Sequence, residues 1–541
     1  MMLTVGADFS VEHPKDMEHG DYATNIALVE AKKRGRNPKE VAGEFADLFE
    51  KNKFPEIEKV EVAGAGFINF FLKKEVFAEA IMESIKKAEK FGENKSLFGQ
   101  RFFIEHTQPN PFKEFHIGHL MNNAIGESIV RLIRANGAAV KTASYHGDVG
   151  LHVAKVIWAM FTKQSSLLDA YAVGHAAFEA DENAKKEIIE INKKIYENGD
   201  GEIQALYEDG RRKSLDYFNS IYKRLDSHFD YHFYESEAGE VGKAIVLKNV
   251  GPVFEESQGA IVYKGEKVGL HTRVFLNSDG LPTYEGKEIG LASIKRQNYT
   301  YDFSLTVTAN EQDAFFSVTE AAIGEVFPEL KGKLKHISHG LLKLPTGKMS
   351  SRTGTVIAAE TLIDDVKKKI LEKMADRKMD DKQKEQTVEI VAIGAIKYSI
   401  LHQAIGGDIV FDFDKSLSFE GDSGPYLQYA YVRAQSVIEK AKEVGVTISE
   451  KIPGDWHTTQ LEKLIARFGE VVERAGNEYA PHYIATYLIE LAGSFNNFYT
   501  EHKIADPSDP SSGYKLALTE SSGIVMKKGL DLLGIKVPQQ M

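Results

Sequence analysis

Two histidines three residues apart are the first feature of this sequence that could do chemistry. His116 and His119 enclose Ile117 and Gly118, and they follow a short apolar run at residues 101–106. The residues after them have the apolar spacing of a helix, so the motif lies where a strand turns into a helix. In parallel α/β folds this loop commonly binds phosphate, because backbone N–H groups at the helix N-terminus point at the anion. Two imidazoles there can donate hydrogen bonds to one anion, and Gly118 lets the backbone approach it.

On their own, these histidines are equally compatible with solvated or core positions, and a second segment favours a nucleotide site. Residues 344–354 read LPTGKMSSRTG, so one lysine, Lys348, precedes Met349, Ser350 and Ser351. One cation and two hydroxyl donors suit the charge of a polyphosphate. Such a stretch alone is more often a surface turn. In this order and at this separation, the two segments resemble the HIGH and KMSKS signatures of class I aminoacyl-tRNA synthetases.

The elements that must hold the histidines follow from apolar spacing. The run at 101–106, the helix after the histidines and a second strand-like run at 138–148 predict a βαβ unit. Such a unit implies a parallel sheet with helices against it. Residues 160–235 are highly charged and predict a helical insertion, and helices dominate after about residue 360.

The N-terminal residues predict a separate small module. Residues 22–34 have helical spacing, and Gly35 provides the glycine that commonly ends a helix. The stretch GFINFFL at 66–72 is typical of a strand. Together they indicate an α+β module that ends near residue 92.

Composition excludes several classes of function. The chain has 541 residues, 43% hydrophobic and 27% charged, which is enough for several domains with their own cores. It contains no cysteine, which excludes disulfides, thiolate zinc sites and cysteine nucleophiles. A net charge of −12 disfavours indiscriminate nucleic-acid binding, so RNA must meet local basic patches. Without a membrane-length apolar run or a secretory signal, we expect a cytoplasmic protein that binds no membrane.

Five separated segments resemble the arginyl-tRNA synthetase family, and together they span nearly the whole chain. They are GDYATNIAL at 20–28, EHTQPNPFKEFHIGHLMNNAIGES at 105–128, SDGLPTYEGKEIGLA at 278–292, ANEQDAFF at 309–316 and SFNNFYTEHKI at 494–504. The resemblance implies an α/β fold with a Rossmann-like parallel-sheet catalytic domain at 93–362, carrying a helical insertion at about 160–275. It also implies a small N-terminal α+β module that contacts tRNA, at 1–92, and a C-terminal all-α anticodon-binding domain, at 363–541.

The resemblance also implies a reaction and its partners. L-Arginine would be activated with ATP to arginyl-adenylate and pyrophosphate, and arginine would then be transferred to the terminal adenosine of tRNA(Arg). Mg²⁺ would arrive with ATP, so no protein-bound metal is expected. The family is usually monomeric, which makes a monomer the expectation here.

Matching the family's motifs residue by residue assigns three groups of contacts. The catalytic residues are His116, His119 and Lys348, and ATP is also contacted by Gly118, Gly340, Met349, Ser350 and Ser351. The arginine pocket falls on Glu105, Asn110, Tyr284, Glu288 and Gln312, where two carboxylates suit a planar guanidinium. The tRNA contacts fall on Tyr22, Asn25, Arg433, Asn497 and Tyr499.

The chain also departs from the family's pattern, and alternatives follow from other classes. Position 288 is commonly aspartate in the family, and the helical domain's Asp-Ala-Leu-Arg signature is represented only by Tyr431-Val432-Arg433. A nucleotidyltransferase with an HxGH motif would need neither flanking domain. A catalytically altered RNA-binding paralogue could lose the phosphate-binding residues, which are all present. The absence of cysteine disfavours a cysteinyl enzyme, whereas lysyl and glutaminyl enzymes stay as alternatives.

Overall fold

The computed structural model describes residues 9–14, 16–197, 200–343, 357–375, 377 and 379–541. The chain divides into two units. The first unit contains Met1–Phe91, Ala430–Glu470 and Leu488–Lys528, and the second contains Gly92–Tyr429, Val471–Tyr487 and Gly529–Met541. The N-terminal segment therefore forms one unit with parts of the C-terminal helices.

The strands are β1 (Val11–Glu12), β2 (Tyr22–Thr24), β3 (Ile57–Ala63), β4 (Phe67–Leu72), β5 (Arg101–Glu105), β6 (Ala139–His146), β7 (Tyr231–Tyr234), β8 (Glu255–Ser257), β9 (Ala260–Tyr263), β10 (Arg273–Leu276), β11 (Phe303–Ala309), β12 (Leu334–His339), β13 (Leu342–Lys343) and β14 (Ile409–Val410). The helices are α1 (Ile26–Arg34), α2 (Pro38–Asn52), α3 (Lys74–Lys87), α4 (Ile117–Ala135), α5 (Leu151–Lys163), α6 (Leu167–Ala180), α7 (Glu182–Glu197), α8 (Gly201–Arg224), α9 (Glu235–Lys248), α10 (Tyr284–Asn298), α11 (Asp313–Val326), α12 (Ala359–Lys373), α13 (Asp381–Leu401), α14 (Phe413–Ser416), α15 (Gly424–Glu443), α16 (Gln460–Asn477), α17 (His482–Glu501) and α18 (Ser512–Leu532).

The first unit contains an antiparallel sheet with the strand order β1-β2-β4-β3. Helices α1 and α2 pack on it through a core that includes Ala27, Val41 and Phe70. The helix predicted to begin at Tyr22 begins only at Ile26, because β2 pairs with β4 instead. Gly35 ends α1 in the left-handed region, with φ of 62°. That ending agrees with the prediction for glycine at this position.

The second unit contains the predicted parallel sheet. Its strand order is β12-β11-β5-β6-β7, and every neighbouring pair is parallel. Helix α4 connects β5 to β6, which is the βαβ unit expected around the histidines. The chain proceeds from β5 towards β7 on one side and later adds β11 and β12 on the other side. In open α/β sheets ligands bind at such a reversal of strand order, outside the carboxyl ends of the strands.

The predicted helical insertion ends earlier than residue 275. Helices α5 to α8 lie between β6 and β7, as the charged sequence indicated. From Tyr231 the helical prediction fails, because β7 joins the parallel sheet and β8 to β10 form a separate antiparallel sheet. Apolar side chains account for the difference: Phe233, Ile261 and Phe275 are buried in the core that also holds Phe103 of β5.

Helices make up most of the chain after Ala359, as predicted. Throughout the described ranges, no helix is both long and apolar enough to cross a membrane. In the same ranges, His, Asp and Glu side chains form no group of three or more that could hold a metal ion.

Candidate active site

The loop after β5 has a strained backbone that α4 holds in place. Thr107, Gln108 and Phe112 adopt positive φ angles of 76°, 50° and 67°. Such conformations are unfavourable for residues other than glycine and persist only where the surroundings impose them. Here Asn122 of α4 imposes one of them, since its Oδ1 accepts a hydrogen bond from the Thr107 N–H at 2.9 Å. Its Nδ2 donates to the Val307 carbonyl of β11 at 2.7 Å. The loop, which follows β5, is therefore also tied to β11 through Asn122.

Two rings at the start of α4 form a mutual cap. His116 is the N-cap residue, and its Nδ1 accepts hydrogen bonds from the N–H groups of Gly118 at 3.1 Å and His119 at 3.4 Å. In return, His119 Nδ1 accepts from the His116 N–H at 3.2 Å. The two rings stack with their centroids 3.6 Å apart. Because each Nδ1 is an acceptor, the proton of each neutral imidazole lies on Nε2, which is left to donate to a ligand.

Both histidines are neutral near pH 7. Burial and the nearby Lys113 ammonium lower the pKa of His116 to about 4. Burial and the ring of His116 lower the pKa of His119 well below its usual value. The pair is therefore two neutral Nε2–H donors at a helix N-terminus, which carries partial positive charge. This arrangement can stabilise a phosphate oxygen without gaining or losing a proton.

Gly118 leaves room for the His116 ring. A Cβ atom on residue 118 would lie 2.9 Å from Cε1 and 3.0 Å from Nδ1 of His116. Any larger residue would therefore push the His116 ring out of its capping position. This contact is one reason for glycine at position 118, and the approach of the backbone to a ligand stays a prediction.

For the adenylate formation that the resemblance implies, we expect kcat to be independent of histidine titration. With the pKa of His116 lowered to about 4, the neutral form that donates from Nε2 persists at every pH well above 4. At saturating ATP and arginine, kcat between pH 6 and 8 should show no inflection near the usual histidine pKa of about 6.5. Single-turnover measurement of adenylate formation across this range tests it. A rate that falls on acidification with an apparent pKa near 6.5 would show that one imidazole must lose a proton.

The described residues that follow the second motif lie beside the histidines. Lys348, Met349, Ser350 and Ser351 lie outside the described residues. The chain resumes at Ile357, whose carbonyl accepts a hydrogen bond from the Ile117 N–H at 3.0 Å. Ala359 N–H donates to the Phe115 carbonyl at 2.8 Å. Residues 357 and 359, shortly after the second motif in sequence, are therefore hydrogen-bonded to the segment that carries the histidines.

A buried ion pair joins α10 to the end of β5. Glu105, the last residue of β5, forms an ion pair with Lys295 of α10, and their side chains are 2% and 6% exposed. Gln108 Nε2 donates to the other Glu105 oxygen at 2.5 Å. Glu288 lies two turns before Lys295 on the same face of α10, and both line one cavity. Burial and the Glu105 charge raise the pKa of Glu288 to about 8, which Lys295 opposes.

The other residues predicted for arginine surround the same sheet edge. Asn110 Oδ1 accepts a hydrogen bond from the Gly147 N–H at 3.0 Å, just after β6. Gln312 is exposed and follows β11. Tyr284 begins α10 with its side chain 64% exposed, four residues before Glu288. The structure thus gathers Glu105 and Glu288 around Lys295, and it leaves Tyr284 and Gln312 open to solvent.

Gly340, predicted to contact ATP, follows β12 closely packed against another loop. A Cβ atom there would lie 2.3 Å from the Gly407 carbonyl oxygen. The requirement for glycine at this position is therefore explained by a backbone contact.

Three charged residues near the site were missed from the sequence. Lys295 carried a signal that could have found it, since a lysine seven residues after Glu288 lies on the same helix face. Lys287 Nζ pairs with Glu235 Oε2 at 2.5 Å, and both side chains are buried. A Cβ on Gly147 would lie within 3.0 Å of both Asn110 and Glu235, so this second pair lies next to Asn110. No sequence signal indicated that pair, because its members come from separate helices.

The residues predicted to contact tRNA belong to the first unit. Tyr22 donates a hydrogen bond to Glu470, and Asn25 Oδ1 accepts one from the Ser10 N–H at 2.7 Å. The Arg433 guanidinium lies 5.1 Å from the Tyr499 ring centroid. Asn497 is exposed on α17. Tyr22, Asn25 and Arg433 thus have structural contacts of their own, while Tyr499 and Asn497 present surface.

Comparison with known families covers nearly the whole chain. Residues 80–413 match the family described as tRNA synthetases class I (R), catalytic domain. Residues 3–72 match the arginyl tRNA synthetase N-terminal domain, and residues 427–541 match the DALR anticodon binding domain. Together with the parallel sheet and the histidine cap, the catalytic match defines a class I aminoacyl-tRNA synthetase, an aminoacyl-tRNA ligase.

Individual relatives specify the family further. The chain is 30% identical over 545 residues to an arginine–tRNA ligase of Clostridium botulinum, covering 98% of this chain and 96% of that protein. It is 31% identical over 558 residues to one of Fusobacterium nucleatum, covering 96% and 93%. The chain belongs to the arginyl-tRNA synthetase family. Neither the nucleotidyltransferase nor the altered paralogue is favoured by these matches.

Solved structures share the fold. The arginyl-tRNA synthetase of Thermus thermophilus superposes with a TM-score of 0.75 at 24% identity, covering 99% of this chain and 97% of that one. That of Plasmodium falciparum has a TM-score of 0.76 at 21% identity, covering 99% and 96%.

Proposed function

We propose that this chain activates L-arginine with ATP and transfers the arginyl group to the terminal adenosine of tRNA(Arg). The observation that carries the proposal is the buried acidic site at the carboxyl end of β5, which shares one loop with the histidine cap. Glu105 ends the strand and His116 caps the helix, so a carboxylate suited to a guanidinium and imidazoles suited to a phosphate lie on the same short segment. A reaction that joins a cationic amino acid to a nucleotide needs this combination.

In the first step, a carboxylate oxygen of arginine attacks the α-phosphorus of ATP. A bond forms between that oxygen and phosphorus, and the bond from phosphorus to the bridging oxygen breaks, releasing pyrophosphate. We infer that the Nε2–H groups of His116 and His119 stabilise the negative charge that develops on the phosphate oxygens. Lys348, Ser350 and Ser351 would meet the departing pyrophosphate. ATP enters as its Mg²⁺ complex, so the metal belongs to the substrate.

In the second step, a ribose hydroxyl of the tRNA's terminal adenosine attacks the carbonyl carbon of the adenylate. The new ester bond forms as the bond to AMP breaks, and the hydroxyl proton leaves with the products. This step requires the tRNA acceptor end to be positioned, and binding elsewhere on the tRNA can supply that positioning.

We assign the remaining contacts in the same way. Asn110 and Gln312 hold the α-amino and carboxylate ends of arginine, and Tyr284 offers a hydroxyl to its guanidinium. The region 1–92 contacts tRNA through Tyr22 and Asn25. The region 363–541 contacts the anticodon through Arg433, Asn497 and Tyr499. The region 93–362 carries out the catalysis. We propose a monomer that acts in the cytoplasm.

Aminoacylation of total tRNA tests the proposal. The purified chain, ATP, Mg²⁺ and total tRNA are incubated with each of the twenty amino acids in turn, and acid-precipitable label is counted. We expect arginine alone to be attached. The proposal would be overturned if lysine or glutamine were attached in place of arginine, or if no amino acid were attached.

Replacing Lys348 with alanine tests the role of the second motif. We expect the rate of adenylate formation to fall about 10- to 100-fold, since one of several donors to the pyrophosphate is lost. The affinity for arginine should stay nearly unchanged, because the lysine meets ATP rather than the amino acid. Pyrophosphate exchange and arginine titration measure the two effects. Lys331→Ala, at an exposed lysine outside the motif, is the control. Unaltered turnover in Lys348→Ala would contradict the role.

A further inference from the structure

We propose that Lys295 sets the charge of the arginine site, neutralising Glu105 so that Glu288 is the carboxylate left to bind the substrate guanidinium. The inference rests on the proposed function, since it explains how that function selects one cation. It makes Lys295 a positioning residue, because it acts through the two glutamates rather than on the substrate.

The contacts of Glu105 leave it little capacity for a substrate. One of its oxygens pairs with the Lys295 ammonium, and the other accepts a hydrogen bond from Gln108 Nε2 at 2.5 Å. Both charged side chains are almost completely buried, and Phe103 lies on one side of the ammonium, 5.8 Å from Nζ to the ring centroid. Breaking such a pair leaves an uncompensated charge away from water, which is strongly unfavourable.

Glu288, in contrast, has no partner of its own. Among the described residues, none forms a hydrogen bond or an ion pair with its carboxylate. It lines the same cavity as Lys295, together with Ser304 and Thr306 of β11. A half-buried carboxylate without a partner is costly, and a substrate cation is the natural way to compensate it.

The other charged groups near Glu288 do not supply that cation. Glu235 and Glu285 add to its negative surroundings, and each already has a cation, Lys287 and Arg273 respectively, the latter at 2.8 Å. The cavity is further lined by Glu320, the Tyr301 ring and Lys335, whose exposed side chain places its ammonium 4.5 Å from the Tyr479 ring centroid. Tyr145 also faces the cluster. The charge of the central group, Glu105, Glu288 and Lys295, is therefore one net negative when both carboxylates are ionised.

The single net negative charge of this group explains how the site can select a substrate with one positive charge. Two buried carboxylates without Lys295 would share a proton, as adjacent carboxylates do, and a protonated carboxyl can donate to a neutral ureido group. With Lys295 present, one negative charge meets one guanidinium. Where Glu288 is ionised, above its raised pKa of about 8, a neutral isostere such as citrulline leaves its charge uncompensated, so it is rejected.

A cycle of charge-altering substitutions tests the inference. Glu105→Gln changes the net charge of the group from −1 to 0, Lys295→Met changes it to −2, and the double variant restores −1. We expect Glu105→Gln to raise the arginine KM about 100-fold, because Lys295 then pairs with Glu288. The double variant should recover to within about tenfold of wild type, and Lys295→Arg, which keeps the charge, should resemble wild type.

The pH profile separates charge from packing. Lys295→Met should raise the pH above which arginine KM reaches its lowest value, since the extra negative charge favours a protonated carboxyl. Measured at pH 9, where Glu288 of wild type is ionised, Lys295→Met should also lower the ratio of citrulline Ki to arginine KM at least tenfold. Thermal unfolding identifies any variant that fails to fold. If Lys295→Met fails to fold, comparing the arginine KM of the double variant with that of Glu105→Gln still tests the inference.

The results of these experiments distinguish a failure of the role of Lys295 from a failure of the proposed function. A double variant no better than Glu105→Gln, or a Lys295→Met enzyme with the wild-type pH profile and citrulline ratio, would overturn the role of Lys295. Those results leave the proposed function intact as long as wild type charges tRNA with arginine. Wild type that charges no arginine would instead overturn the proposed function.

Discussion

Replacing His116 with asparagine lowers kcat for arginyl-adenylate formation about 100- to 1000-fold and leaves the unfolding temperature near that of wild type. The substitution separates two tasks of the side chain. Asparagine is among the best N-cap residues, so its Oδ1 can accept from the Gly118 and His119 N–H groups as Nδ1 does now. What it lacks is the Nε2–H donor at the far side of the ring.

The loss should fall on kcat rather than on the ATP KM. A donor aimed at charge that develops in the transition state contributes little to ground-state binding. His116→Ala is the matched control, because it removes the donor and the cap together. It should show the same loss in kcat together with a loss in stability of about 1 kcal/mol. Thermal unfolding and single-turnover kinetics on both variants give the two readouts. A His116→Asn enzyme with wild-type kcat would show that the ring acts only as a cap.

The positions of the histidines could be predicted from sequence, whereas their protonation could not. The alternation of apolar runs around residues 101–148 indicated strand, loop and helix, and the structure has β5, α4 and β6 there. That both Nδ1 atoms are acceptors depends on backbone geometry at the N-cap, which no spacing in the sequence encodes. Gly118 illustrates the difference, since a glycine was expected for the ligand and is required by the neighbouring ring.

The sequence alone also predicted the arginine site only in part. Glu105 and Glu288 are 183 positions apart, and only the resemblance to the family put them in one pocket. Lys295 was on the same helix face as Glu288 but went unnoticed, because lysines on helices are usually solvated. Tertiary packing of α10 against the sheet buries it instead. Similarly, Tyr22 has the local spacing of a helix but pairs as a strand with β4, because sheet formation overrides local propensity.

Replacing Glu288 with glutamine raises the arginine KM about 100- to 1000-fold and has a much smaller effect on kcat. Glutamine keeps the size of the side chain but removes the negative charge that a buried guanidinium requires. Breaking a buried ion pair by neutralising one member typically costs about 3 to 5 kcal/mol. The substrate side chain is remote from the reacting carboxylate, so the loss appears mainly in binding.

The control for this substitution is Glu285→Gln on the same helix. Glu285 is also buried, but its carboxylate already pairs with Arg273 at 2.8 Å. Its replacement should therefore alter stability while keeping the arginine KM within about threefold of wild type. Calorimetric titration with arginine distinguishes the two variants, and an unchanged affinity in Glu288→Gln would place the guanidinium elsewhere.

The pH dependence of the arginine KM provides the last test of Glu288. Its pKa is raised to about 8, chiefly by burial, so below pH 8 the free enzyme holds this carboxyl mainly in the neutral form. The guanidinium stays charged throughout this range, and it binds the carboxylate form only. The arginine KM of wild type should therefore fall about tenfold for each unit of pH between 6 and 8 and then level off. Arginine binding near pH 7 should release about one proton, which calorimetry in buffers of different ionisation enthalpy detects. In Glu288→Gln both effects should vanish, leaving a high KM that is flat with pH. A variant that kept the wild-type slope would show that another group takes up the proton.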